Sequence, residues 1–185
     1  MGNYDALLVD PPWGYRQKRQ RGAAQKHYTT MSTDDICALP VADIATDNSA
    51  LFLWVTFSML PEALRVIKAW QFQFKTVAFL WLKKNKKADS FFYGLGFWTR
   101  GNAEVCLLAT RGHPKRQNRG ISLIISPVEA HSKKPDIVRE KIVALMGDVP
   151  RIELFARDTA PGWDALGDEI DGRDIRDALR EVIGA

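Results

Sequence analysis

Cysteine and long apolar runs are both scarce in this chain, and each shortage closes off a class of protein. Only Cys37 and Cys106 occur in 185 residues, far apart and in no C-x-x-C spacing, so neither a disulfide framework nor a zinc site is expected. Both are read as ordinary buried thiols in a reducing compartment. No stretch approaches the roughly 18 apolar residues of a membrane span. The opening MGNYDALLVD lacks a basic region ahead of an apolar run, so a cytoplasmic protein is expected. No G-x-G-x-x-G follows the first apolar segment, and Gly94-Leu95-Gly96 has no third glycine, which argues against a dinucleotide-dependent oxidoreductase. Repeats, linkers and low-complexity tracts are also missing. What is present is 46% hydrophobic residues, enough for one core, so a single domain over residues 1–185 is expected. The net charge of +4 is mild, but its positive residues are bunched at Arg16 to Lys26, Lys83 to Lys87 and Arg111 to Arg119. Bunched charge of this kind permits a polyanionic partner, although a solvated surface has the same look.

The apolar segments alternate between two periods. Tyr4 to Val9 reads as a short buried strand that Pro11 and Pro12 end abruptly, since neither has a backbone donor. Ser32 with Asp35 gives a capping-box pattern for a short helix. Ala50 to Thr56 is a second strand. Leu60, Leu64 and Ile67 then recur at helical spacing before Phe74 to Leu82 returns to strand character. Ala103 to Thr110 and Ser122 to Ser126 read as strands flanking the basic turn GHPKRQNRG. Pro135 to Met146 reads as a helix feeding a strand over Arg151 to Ala156, and Asp174 to Ile183 as a last amphipathic helix. The expected fold is therefore an α/β domain with a doubly wound, mostly parallel sheet. In such a sheet ligands sit beyond the strands' C-terminal ends. Asp10 and Arg157 each follow a predicted strand, so they share one crevice if those strands are parallel.

Asp10-Pro11-Pro12-Trp13 is the segment with the most chemistry. An exocyclic amine on a nucleobase is a poor nucleophile, because its lone pair is delocalised into the ring. Activating it takes two acceptors, one for each N–H, and a flat clamp. The Asp10 carboxylate supplies one acceptor and the Pro11 carbonyl the other, with the fixed proline rings holding that carbonyl outward and free of a competing donor. Trp13 supplies a stacking surface. Positioning and electrostatics carry such a reaction, so a strong general base such as histidine is not required. The competing reading is a strand-ending turn, in which Asp and Pro are common.

With those residues in place, the chain resembles the MT-A70 family of adenine methyltransferases from about Tyr4 to Gly172. The likeness extends through LFLWVT at Leu51 to Thr56, WLKK at Trp81, HSKKPD at His131 to Asp136, RIELFAR at Arg151 to Arg157, Gly162-Trp163 and LGDEIDG at Leu166 to Gly172. The resemblance implies a Rossmann-like methyltransferase fold with permuted motif order, and S-adenosylmethionine as methyl donor. It implies Asp10, Pro11, Pro12 and Trp13 as the catalytic segment, and Asp10, Pro11, Lys134, Arg157, Asp168 and Glu169 as cofactor contacts. Lys134 would meet the methionine carboxylate of the donor and Arg157 its ribose. Trp13, Tyr28, Arg16, Lys18, Arg19 and Ser132 would contact substrate, with Trp54 and Trp81 near the site. Packing remains the alternative for Tyr28, Trp54 and Trp81, solvent exposure for Lys134, and an ion pair with Asp158 for Arg157. The chain departs from the family's animal enzymes at Thr159 and Ala160, where His-Asn is usual, and at Asp168, where Asn is usual. The substrate implied is DNA, from likeness to small bacterial and phage members, giving 6-methyladenine; RNA is the alternative. A homodimer also follows from the resemblance, and no metal is expected. A catalytically silent nucleic-acid-binding subunit would not need an intact Asp-Pro-Pro-Trp, and cytosine amine methylation is the nearer enzymatic rival.

Overall fold

Leu7 and Val9 point to one side of the first strand, β1 (Tyr4–Val9), and Ala6 and Leu8 to the other, and all four are buried. A strand apolar on both faces belongs inside a sheet covered on both sides. The computed structural model describes residues 2–14, 30–96, 98–130 and 132–184. Six further strands follow: β2 (Ala45–Val55), β3 (Gln73–Lys84), β4 (Glu104–Arg111), β5 (Leu123–Pro127), β6 (Arg151–Leu154) and β7 (Asp164–Leu166). The helices are α1 (Thr33–Cys37), α2 (Val41–Ile44), α3 (Leu60–Ala69), α4 (Ile137–Met146), α5 (Asp168–Asp171) and α6 (Ile175–Gly184). The sheet order is β5-β3-β4-β2-β1-β6-β7. β4 runs antiparallel to β2 and β3, and every other pairing is parallel. The mostly parallel, doubly wound sheet expected from the sequence is thus observed, with β4 as its reversed member.

One face packs against α1, α2, α3 and α6 through Ile36, Ile44, Val66, Ile67 and Leu179. The other packs against α4 through Val138, Ile142 and Met146, with Phe52 stacked on Phe79 and Trp54 edge-on to Trp81. Ser32 caps α1 as expected, its hydroxyl oxygen accepting the Asp35 N–H at 3.1 Å. The helical stripe of α3 differs from expectation. Leu64 is 44% exposed, and the inward face is Ala63, Val66, Ile67 and Trp70, the i, i+3, i+4, i+7 set of a helix entered through a 3₁₀ turn at Phe57–Met59. The strands expected at Ala103 to Thr110 and Ser122 to Ser126 are each shifted one residue later.

Strand direction decides what meets at the working edge. The ends of β1, β2, β3, β5, β6 and β7 all lie there, together with the beginning of β4, so Asp10, Thr56, Glu104 and Arg157 converge although they are distant in sequence. The reversal also carries the Arg111 to Arg119 cluster to the opposite edge, where β4 ends beside Ser49. The Lys83 to Lys87 cluster stays at the working edge.

Candidate active site

β1 stops at Asp10 because the next two residues cannot donate to a ladder. The Asp10 N–H still reaches the Leu154 carbonyl of β6 at 3.5 Å. Beyond it the chain folds tightly: Trp13 N–H donates to the Pro11 carbonyl at 2.8 Å and Met31 N–H to the Pro12 carbonyl at 2.9 Å. Gly14 N–H donates to the Met31 carbonyl at 3.1 Å, holding these two distant residues together. The expectation that the Pro11 carbonyl meets no competing donor is corrected here, since the Trp13 amide takes one of its lone pairs. The second lone pair remains for a ligand. Trp13 is 7% exposed and lines the cavity, and its indole N–H donates to the Trp54 carbonyl at 3.0 Å, which fixes the ring against the core. Trp54 and Trp81 are core side chains, so for them the packing alternative describes the structure.

Lys134 sits in the lead-in to α4 and crosses to the end of β1. Its ammonium donates to Asp10 Oδ2 at 2.9 Å and to the Ser132 carbonyl at 3.2 Å. It lies 3.3 Å from Glu104 Oε2 and 5.9 Å from the centre of the Trp54 ring. This is no solvated surface lysine, for its side chain is only 16% exposed. Glu104 opens β4 and also pairs with Lys83. Burial pushes the Asp10 carboxyl above its ordinary range, against the pull of Lys134. Burial pushes Glu104 the same way, but Lys134 and Lys83 outweigh it and hold that carboxyl below its usual value. For Lys134 burial favours the neutral amine, and the two carboxylates more than reverse this, holding it charged. Sequence reasoning missed Glu104. The available signal was an acidic residue opening an otherwise apolar strand.

On the other wall β6 is followed by Phe155, a bulky residue in the left-handed region at φ 60°. That turn brings Arg157 over the cavity, where its guanidinium lies 3.5 Å from Glu169 of α5. Asp158, the partner that the alternative reading gave Arg157, pairs with Arg139 and Lys133. Gly167 allows the close approach of β7's end, because a Cβ there would fall 2.2 Å from the Ala156 carbonyl oxygen. Asp168 and Glu169 thereby stand beside Arg157.

These walls enclose a cavity of about 390 Å³. Of the residues singled out in the sequence, Asp10, Pro11, Pro12, Trp13, Ser132, Lys134, Arg157, Asp168 and Glu169 all line it. Tyr28, Arg16, Lys18 and Arg19 lie outside the described residues. The size suits a small-molecule ligand. Its donor set also fits S-adenosylmethionine: an ammonium and a guanidinium for a carboxylate, acidic acceptors for ribose hydroxyls, and a buried carboxylate for positive charge. Among the described residues no group of three or more His, Cys, Asp or Glu is arranged to hold a metal ion.

The MT-A70 family profile matches residues 4–169, which takes in every wall of this cavity up to Glu169. The chain belongs to the MT-A70 family. MT-A70 is a family of adenine N6-methyltransferases. A Drosophila melanogaster relative, an N(6)-adenosine-methyltransferase MT-A70-like protein, is 31% identical over 177 residues, 93% of this chain and 28% of the relative. The Homo sapiens N(6)-adenosine-methyltransferase catalytic subunit METTL3 is 28% identical over 96% of this chain and 30% of its own length. The type II methyltransferase M.MunI from Mycoplasma sp is 28% identical over 90% of this chain and 78% of its own length. The chain thus spans under a third of the METTL3-type relatives and most of M.MunI.

Proposed function

We propose that this MT-A70 chain transfers a methyl group from S-adenosylmethionine to the exocyclic amine of adenine in DNA, giving 6-methyladenine. The observation that carries the reading is that Asp10 and Pro11 both line the cavity, with Lys134 paired to Asp10 and Glu104. S-adenosylmethionine, when bound, supplies a methyl group on a positively charged sulfur. The chain's own residues do the rest. Asp10 accepts one N–H of the amine and the remaining lone pair of the Pro11 carbonyl accepts the other, so the nitrogen lone pair localises towards the donor. Lys134 holds the donor's carboxylate end. Arg157, Asp168 and Glu169 take its ribose. As the amine gains its methyl group it becomes acidic, and the Asp10 carboxyl, raised by burial, is placed to receive the proton. Ser132 lines the same wall from a left-handed turn at φ 59°.

A base must leave its stack to reach such a cavity, so single-stranded or locally opened substrate is favoured. The strand crosses the working edge, where the exposed Lys86 and Lys87 lie, near the exposed rings of Tyr93 and Trp98. Asn102 ties this aromatic segment to the site. Its side chain accepts the Lys83 N–H and donates to the Lys83 carbonyl, two residues before Glu104. Lys115, Arg116 and Arg119 sit with the far end of β4 and take no part. DNA is favoured by M.MunI, along most of which the chain aligns; the METTL3-type relatives favour RNA. The test is incubation with methyl-labelled S-adenosylmethionine and matched DNA and RNA oligonucleotides, followed by nucleoside mass spectrometry. Label in deoxyadenosine supports the reading. Label in adenosine alone replaces DNA with RNA, and no label in either overturns it.

A further inference from the structure

Two of the cationic groups that line the cavity reach it from turns that no backbone hydrogen bond joins among the described residues. Lys134 comes from residues 132–136 and Arg157 from residues 155–158. Each turn contains a non-glycine residue in the left-handed region, Ser132 and Phe155, a conformation that persists only where the surroundings hold it. What spans the gap is Arg139, in the first turn of α4. Its Nε donates to Glu153 Oε2 at 2.6 Å, its Nη2 to Asp158 Oδ1 at 2.5 Å and its Nη1 to Asp136 Oδ1 at 3.2 Å. Those carboxylates stand on β6, on the turn after β6, and on the lead-in to α4. Lys133 reinforces the tie, lying 2.8 Å from Asp136 and 3.6 Å from Asp158. Arg139 itself does not line the cavity. It borders a separate void of about 30 Å³ behind Asp10 and Lys134.

We infer that Arg139 is a positioning residue that holds the two turns in register, so that Lys134 and Arg157 grip opposite ends of one bound cofactor. The guanidinium is suited to this, since its planar fork aims its donors at three carboxylates in fixed directions, whereas an ammonium is a rotatable point charge. The side chain is 13% exposed, and its charge is needed below the surface to balance Glu153, whose carboxyl burial pushes upward against the pull of Arg139. With the fork gone, the Lys133–Asp158 pair at 3.6 Å is a weaker tie between the turns, the distance between Lys134 and Arg157 is held less firmly, and cofactor binding suffers first. Asp10 keeps its own contact with Lys134, so chemistry on a saturated enzyme suffers less.

The inference rests on the cofactor reading of the cavity, and the test separates the two. Parent, Arg139→Lys and Asp158→Asn proteins are compared by calorimetry with S-adenosylhomocysteine, by thermal unfolding, and by methyl transfer over a range of donor concentrations. Arg139→Lys keeps the charge and loses the fork. It is expected to unfold cooperatively, to bind S-adenosylhomocysteine roughly 10- to 100-fold more weakly and to raise the donor KM in step, with kcat within a few-fold of the parent. Asp158→Asn removes only the outer arm and is expected to show a smaller loss in the same sense; it carries the test if Arg139→Lys fails to fold. Parent-like affinity in the folded variants, or a fall confined to kcat, overturns the inference while leaving the cofactor reading intact. A parent that binds no S-adenosylhomocysteine overturns both.

Discussion

Replacing Lys134 by methionine removes a charge that two carboxylates share, and the size of the effect follows from the distances. The ammonium lies 2.9 Å from Asp10 and 3.3 Å from Glu104. An opposite charge this close typically lowers a carboxyl pKa by about 1–3 units. In Lys134→Met that pull is lost, burial continues to push the Asp10 carboxyl up, and unscreened Glu104 adds a like charge beside it. Asp10 works as an ionised acceptor, so a higher pKa leaves fewer active molecules at any given pH. The acid limb of the single-turnover rate, measured with donor and oligonucleotide saturating, should therefore move towards alkali by about 1–3 pH units. Donor affinity should fall as well, by the roughly 1.5–3 kcal/mol of a hydrogen bond to a charged group. The two effects are separable, since raising donor concentration restores occupancy but not the position of the limb. A pH–rate profile that superimposes on the parent's would refute the electrostatic account of Asp10, whatever happens to binding.

Three further outcomes are expected. Trp13→Ala should cost about 3–5 kcal/mol of stability in urea unfolding, because the ring is buried in the core; Trp13→Phe should cost less, about 1–3 kcal/mol, for leaving the Trp54 carbonyl unpaired. An exposed stacking ring would instead show unchanged unfolding midpoints. Neutralising Lys86 and Lys87 together should flatten the slope of log affinity against log salt for single-stranded DNA by about 1.4, while Lys115→Ala with Arg116→Ala should leave it alone. Equal slopes for the two double variants would show that the sheet's two edges are not distinguished by the nucleic acid. Neutralising Arg16, Lys18 and Arg19 together should flatten the same slope by roughly two units, and an unchanged slope would remove that segment from the phosphate path.

Much of the site was legible because its residues follow strands directly. The Asp-Pro-Pro-Trp segment announces a strand end by its missing donors, and once the strands before Asp10 and Arg157 are read as parallel, one crevice follows. Lys134 was legible only through resemblance, since nothing in Lys133-Lys134-Pro135 alone says which lysine turns inward. The structure gives the reason: Lys133 is drawn to Glu129, Asp136 and Asp158, and Lys134 to Asp10 and Glu104. The misreadings share a physical origin in the reversed β4. Period and propensity identify a strand without fixing its direction, so the sequence could not show that Glu104 at its start joins the site. Nor could it show that the Arg111 to Arg119 cluster at its end leaves the site. Leu64 was misplaced for a smaller reason, a stripe read from Leu60, Leu64 and Ile67 only, while Ala63 and Val66 complete the buried face with Ile67.

The most direct test of the central claim is methyl transfer by the parent and Asp10→Asn proteins side by side, with S-adenosylhomocysteine affinity measured on the same preparations. The carboxylate acts on the amine and Glu104 remains to balance Lys134, so the variant should keep its fold and its product affinity. The parent should place label on the exocyclic nitrogen of adenine and the variant should place none. Transfer by Asp10→Asn at the parent's rate, or label on any other base, would contradict the assignment of this cavity.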